Sequence, residues 1–106
     1  MKIYTNGTEL INDNLEFLNE NKYLSVFFRL DAPLITKVDK INYVAKWSKG
    51  KNKLLVMKVE PYNMLLYGDK TCVKDCIKYL IKNDYEIKGI LCAADVGEEV
   101  VKVMKE

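Results

Sequence analysis

Residues 54–70, LLVMKVEPYNMLLYGDK, decide the fold of this 106-residue chain. They contain two apolar runs, residues 54–59 and 63–67, which predict two strands. The first run is apolar almost throughout, so we expect its strand to be buried on both faces. Pro61 cannot donate to a strand ladder and therefore marks a bend between the strands. Asp69, after the second run, is a good N-cap and predicts the start of a helix.

The elements on either side of this stretch have clear patterns. After Asp69, apolar residues recur from Val73 at i, i+3, i+4, i+7 and i+8, and the helix closes at Asn83-Asp84. Before the stretch, residues 41–47 alternate in polarity and predict a strand. Residues 48–52, SKGKN, predict a hairpin turn.

The N-terminal third is predicted to be mostly helical. Residues 2–4 are compatible with a short strand, and Thr8 is the expected N-cap of a helix over residues 8–21. Residues 23–30 contain a second apolar stripe of Tyr23, Leu24, Phe27 and Phe28, which ends at Pro33. The stripe predicts a core-facing helix. The alternative is a partner-binding face, since two adjacent phenylalanines are costly when exposed.

The C-terminal part is predicted to be a short strand and a helix. Residues 87–92 form the strand, and Asp95 with Glu98 suggests a capping box that opens a helix running to Glu106. A chain that stops inside a periodic helix suggests a domain cut from a longer protein. The resulting order, β-α-α-β-β-β-α-β-α, predicts an α/β domain, although periodicity alone does not define the strand order.

Size and composition indicate one soluble globular domain over residues 1–106. The net charge of +2 predicts weak steering toward nucleic acid or acidic membranes, and Arg29 is the only arginine. The chain has neither an apolar run long enough to span a membrane nor a signal core at its start, which favours the cytoplasm. The abundance of lysine, isoleucine and asparagine suggests an AT-rich bacterial genome.

The residues available for chemistry are few. Histidine is absent, which excludes Ser-His-Asp and Cys-His sites. Cys72, Cys76 and Cys92 are predicted to be free core or surface thiols and not metal ligands. Cys72 alone lies near a predicted helix N-terminus, where a thiol pKa can fall, although neighbouring aspartates oppose this.

Two groups of side chains are candidates for binding. Five lysines crowd the hairpin, interleaved with Tyr43 and Trp47, as in proteins that grip single-stranded nucleic acid: Lys46, Lys49, Lys51, Lys53 and Lys58. The small net charge and the lack of arginine argue against nucleic acid. The second group is a polar-aromatic patch at the strand break, formed by Pro61, Tyr62, Asn63 and Tyr67.

The order of elements resembles the opening topology of the GNAT-type N-acetyltransferase superfamily. It is closest to two-part members whose N-terminal half carries a strand, Pro-Tyr-Asn, strand segment, similar to residues 56–66 here. The glycine-containing strand over residues 86–92 and the helix over residues 95–105 are also similar. The resemblance implies a mixed, mostly antiparallel central sheet with helices on its faces.

One departure from the family determines what the resemblance implies. Catalytic GNAT domains hold coenzyme A with an Arg/Gln-x-x-Gly-x-Gly/Ala loop before a helix, whereas residues 66–70 here read LYGDK. The resemblance therefore implies a non-catalytic N-terminal domain without a cofactor, whose missing C-terminal half binds acetyl-CoA. It also implies that Pro61, Tyr62 and Asn63 wall the acceptor cleft. The alternative is a stand-alone interaction module that dimerises through residues 23–30 or a sheet edge.

Overall fold

In the computed structural model, which describes residues 1–106, one five-stranded sheet forms the centre of the molecule. Its strands, in both chain and spatial order, are β1 (Lys2–Ile3), β2 (Tyr43–Lys49), β3 (Asn52–Lys58), β4 (Met64–Gly68) and β5 (Ile90–Leu91). The first four are antiparallel neighbours, and β5 is parallel to β4. The predicted class, an α+β fold with a mixed and mostly antiparallel sheet, is confirmed.

Helices cover both faces of the sheet. The helices are α1 (Gly7–Asp13), α2 (Leu15–Asn19), α3 (Lys22–Asp31), α4 (Val73–Lys82) and α5 (Ala94–Met104), with 3-10 turns at Ala32–Leu34 and Lys70–Cys72. The first three pack on one face and the last two on the other. None of the helices has the length and apolar character needed to cross a bilayer.

The two faces of β3 contribute to separate hydrophobic cores. Leu55 and Met57 pack toward α1–α3, whereas Leu54 and Val56 pack toward α4 and α5. All four side chains are fully buried. The prediction that this strand is buried on both faces is therefore correct. The hairpin before it is also confirmed, with Gly50 in the left-handed region at φ +63°.

The prediction for the first helix is wrong in its N-cap and in its length. Asn6, not Thr8, is the N-cap, and its side chain accepts a hydrogen bond from the Glu9 N–H at 2.9 Å. The helix begins at Gly7, and this position requires glycine because a Cβ there would overlap the backbone of Ala32. The helix then breaks at Asn14, whose buried amide donates to the Leu10 carbonyl oxygen at 2.8 Å.

Two predictions near the C-terminus also need correction. No capping box opens α5: Ala93 is the N-cap, and Asp95 accepts a hydrogen bond from the Val96 N–H. The last strand is two residues long instead of six, because only Ile90 and Leu91 pair with β4 before the chain turns away.

Candidate functional site

The site is a groove where β4 and β5 separate. Their ladder ends at the pair Leu65–Leu91, yet β4 continues to Gly68 while the chain after Leu91 enters α5. Two adjacent cavities occupy the gap, and we call them together the β4–β5 groove. In α/β sheets, such openings beyond the carboxyl ends of parallel strands are where ligands commonly bind.

The outer cavity of the groove has a lining of mixed polarity and a volume of about 310 Å³. It lies between the start of α3, the β2–β3 turn, the end of β4 and the start of α5, and its lining includes Asn21, Leu24, Lys51, Lys53, Leu66 and Asp69. Asp69 is the only acidic residue in the lining. The mouth of the groove therefore carries more positive than negative charge.

The inner cavity is apolar and has a volume of about 260 Å³. Its eight lining residues are all hydrophobic, and they include Tyr23, Phe27, Phe28, Leu65, Leu91 and Cys92. Leu24 and Leu66 line both cavities, so the two lie side by side. The groove thus passes from a basic mouth to an apolar interior.

Tyr67 joins the strand side of the groove to the helical layer. Its hydroxyl donates a hydrogen bond to the Phe17 carbonyl oxygen at 2.8 Å, and the two ring centroids are 5.0 Å apart. Burial raises the pKa of the hydroxyl. Tyr67 is therefore a neutral structural contact at the carboxyl end of β4. The predicted patch that combined it with Pro61, Tyr62 and Asn63 does not form.

Asp69 is an N-cap, as predicted, but it caps the 3-10 turn Lys70–Cys72 that leads into α4, and α4 itself begins only after this turn. Its carboxylate accepts hydrogen bonds from the Thr71 N–H at 2.8 Å and the Thr71 hydroxyl at 2.7 Å. These hydrogen bonds lower its pKa, so the group is ionised at neutral pH. Gly68 precedes it at φ +140°, and a side chain there would overlap the Lys53 carbonyl oxygen. The junction holds an anion of its own where a phosphate would need free N–H donors.

Pro61, Tyr62 and Asn63 form an exposed turn at the other end of β4. The Glu60–Pro61 peptide bond is cis, and the Tyr62 N–H donates to the Val59 carbonyl oxygen at 2.9 Å. Tyr62 is 57% exposed, and Asn63 packs against Gly89. None of the three lines either cavity of the groove. Their role in an acceptor cleft stays a prediction.

The hairpin lysines do not form one surface. Lys46 is paired with Asp13 at 3.5 Å, and Lys58 is buried and paired with Glu60 at 3.1 Å at the end of the hairpin remote from its turn. Lys49, Lys51 and Lys53 remain exposed near the turn. The nucleic-acid hypothesis therefore rests on these three lysines alone.

Helix α3 places the two adjacent phenylalanines, Phe27 and Phe28, in different environments. Phe28 is fully buried, whereas Phe27 is 42% exposed and Tyr23 is 87% exposed. Val26 and Leu30 are also exposed, so the helix presents an apolar outer face. Tyr23 and Phe27 share a cavity with Leu91 of β5, which places this face beside the edge strand. The core-facing prediction is thus right for Phe28, and a partner-binding role for the exposed side chains stays a prediction.

The cysteines are free thiols, as predicted. Cys72 and Cys76 are buried, and Cys92 is half-buried in the lining of the inner cavity. Burial raises the pKa of Cys72, so the expected lowering at a helix N-terminus does not occur. No group of cysteine, aspartate or glutamate residues is arranged to hold a metal ion.

Comparisons with protein families, with curated proteins and with solved structures found no match to this chain. The sequence had not indicated that Leu24, Leu66 and Leu91 meet in a groove. Each lies in an apolar run of ordinary core composition. The groove depends on where β4 and β5 stop pairing, which the polarity pattern of a two-residue strand does not reveal.

Proposed function

We propose that this chain is a non-catalytic GNAT-like domain that packs against an acetyl-CoA-binding half of an N-acetyltransferase and helps to shape its acceptor cleft. The observation that carries the proposal is the apolar outer face of α3 beside the edge strand β5. The fold class is consistent with it, since a mixed, mostly antiparallel sheet with helices on its faces is what the resemblance implies.

The beginning of the helical segment after β4 supports a non-catalytic role. Coenzyme A is held in the family by free backbone N–H groups at this position. Here the Thr71 N–H is already bonded to the Asp69 carboxylate. An ionised carboxylate at the helix start also repels a pyrophosphate. The acetyl-CoA would therefore belong to the partner half, and this chain would contribute surface only.

The outer face of α3 supports the packing role. Tyr23, Val26, Phe27 and Leu30 keep large apolar area in water, and covering it is favourable by about 25 cal/mol per Å². The edge of β5 next to this face has no neighbouring strand. A partner that continues the sheet beyond β5 would cover both features at once. The turn formed by Pro61, Tyr62 and Asn63 is our proposal for the acceptor-cleft wall.

Photo-crosslinking in the native cells tests the packing. A benzoylphenylalanine at position 23 is expected to crosslink to the acetyl-CoA-binding half with the Arg/Gln-x-x-Gly-x-Gly/Ala loop, within one polypeptide where the two halves share a chain. Peptide mapping of the crosslinked product identifies the site. The same probe at position 82, on the exposed side of α4, is the matched control and should not crosslink to that half. Absence of a crosslink between position 23 and such a half would contradict the proposal.

A second candidate is a homodimer formed through the same face of α3. The 87% exposure of Tyr23 favours it, because a face on a single helix can meet its copy about a two-fold axis. Sedimentation equilibrium should then give a mass that rises with concentration. Tyr23→Glu should abolish the rise, and Tyr62→Glu, at another exposed tyrosine, should leave it unchanged. A strict monomer at all concentrations excludes this candidate.

A further inference from the structure

The β4–β5 groove has the polarity of a site for an amphiphile. Its inner cavity is lined by hydrophobic residues only, including the buried side chains Phe28, Leu65 and Leu66. Its outer cavity alone, at about 310 Å³, reaches the range of about 300–1,000 Å³ typical of small-ligand sites. A ligand that fills both cavities needs an apolar tail and a polar head.

The charges at the mouth of the groove favour a ligand with a negatively charged head group. Lys51 and Lys53 line the outer cavity and have no acidic partner within ion-pair distance. Asp69 accepts both Thr71 hydrogen bonds on Oδ1 and keeps its negative charge, so the lining carries two ammonium groups against one carboxylate. Lys53 Nζ lies 5.7 Å from the centroid of the Phe17 ring, and neither ammonium group is ion-paired, so the excess positive charge favours an anion. Charge-assisted hydrogen bonds to a carboxylate are stronger than those between neutral groups.

We propose that the β4–β5 groove binds a free medium-chain carboxylic acid. The carboxylate contacts Lys51 and Lys53, and the alkyl chain lies against Leu24 and Leu66 and enters the inner cavity beside Cys92. Such binding does not depend on the acetyltransferase proposal, but Tyr23 and Phe27 line the inner cavity and also belong to the face proposed for packing, so binding is tested on this chain alone. It involves no covalent step, since the ligand is held by apolar contacts and charge alone.

Protection of Cys92 from alkylation locates the ligand in the groove. Cys92 is the one cysteine that is not fully buried, so a maleimide should modify it far faster than Cys72 or Cys76. Decanoate, below the concentration at which it forms micelles, is expected to slow this reaction saturably. Octanoate should bind about fifteenfold more weakly than decanoate, because it is two methylenes shorter and each methylene that leaves water changes affinity about fourfold. Failure of decanoate to protect Cys92 would overturn the proposal.

Charge and shape variants separate the two halves of the site. The double variant Lys51→Glu and Lys53→Glu should weaken decanoate binding about tenfold or more in calorimetry. Lys82→Glu with Lys105→Glu makes the same change in net charge on exposed lysines outside the groove, and should bind as the unmodified chain does. Leu24→Glu, at an exposed position shared by both cavities, should abolish binding while the helical circular dichroism persists.

Two further results would contradict the proposal. Decan-1-ol has the same tail and no charge, and equal protection by it would mean that the lysines take no part. Unchanged decanoate affinity in the Lys51→Glu and Lys53→Glu variant would lead to the same conclusion. Acetyl-CoA provides a separate readout, so the failure of decanoate binding and the failure of the acetyltransferase proposal are distinguishable.

Discussion

The hydroxyl of Tyr67 donates a hydrogen bond to the backbone carbonyl oxygen of Phe17 at 2.8 Å, and this contact ties β4 to α2 at the border of the groove. Asn14 has interrupted the helix just before α2, which leaves Phe17 in the short segment Leu15–Asn19. The same carbonyl oxygen also accepts the Glu20 N–H at 3.3 Å, so the Tyr67 hydroxyl is its second donor. The Tyr67 side chain thereby connects the two sides of the molecule that form the groove.

Tyr67→Phe should lower the free energy of unfolding by roughly 1 kcal/mol, because the Phe17 carbonyl loses a partly buried hydrogen bond while the ring packing remains. Urea denaturation measures the change. Tyr62→Phe, at an exposed tyrosine in the Pro61–Asn63 turn, is the control and should have little effect. Equal stability of Tyr67→Phe and the unmodified chain would show that the hydrogen bond does not contribute.

Asp69→Ala should cost about 1 kcal/mol through loss of the N-cap, whereas Asp69→Asn should retain most of the stability at neutral pH. The hydrogen bonds from Thr71 lower the pKa of Asp69 below its ordinary 3.8. Its ionised form therefore stabilises the fold above the unfolded pKa, and this stability is lost as pH falls through the folded pKa. Urea titrations at pH 7 and pH 3 should show that the free energy of unfolding falls less at pH 3 for Asp69→Asn than for the unmodified chain.

Asp13 should titrate with a pKa of about 2. The cause is first the hydrogen bond donated by the Tyr4 hydroxyl at 2.5 Å and then the contact with Lys2 at 3.3 Å. Tyr4→Phe should move the pKa back toward 3.8, as carboxyl carbon NMR would show. Because the folded pKa is depressed, the contribution of Asp13 to stability is present above pH 4 and fades toward pH 2. An unchanged pKa in Tyr4→Phe would contradict this account.

Gly68→Ala should be among the most destabilising single changes at a glycine. Its φ of +140° disfavours any side chain, by roughly 1–3 kcal/mol, and the new Cβ would also overlap the Lys53 carbonyl oxygen. Gly50→Ala is the matched comparison, since φ is +63° there but the space is open, and we expect a loss of about 1–2 kcal/mol. Thermal denaturation of both variants measures the difference, and a smaller loss at Gly68 would count against the packing described for this junction.

Local chemistry explains what the sequence predicted well. The apolar run over residues 54–59, the Gly50 turn and the Asp69 cap each depend on near neighbours, and all three are confirmed. The helix break at Asn14 and the Asn6 cap were missed because long-range contacts decide them. Asn14 bonds to Tyr4 of a different segment, and Gly7 packs against Ala32.

The groove was beyond the reach of pattern analysis for a related reason. It exists because β5 pairs with β4 over two residues only, and then α5 departs from the sheet. Periodicity cannot indicate where two parallel strands stop pairing. Periodicity also does not indicate which of Phe27 and Phe28 is buried, because their different burial depends on how α3 lies on β4.

The most direct test of the central claim is calorimetric titration of acetyl-CoA into the purified chain, with an active acetyltransferase as positive control. The account predicts heats of dilution only, because the Asp69 carboxylate occupies the helix start where the pyrophosphate would bind. Saturable binding at one site per chain would contradict a non-catalytic domain, and would place coenzyme A chemistry in this chain.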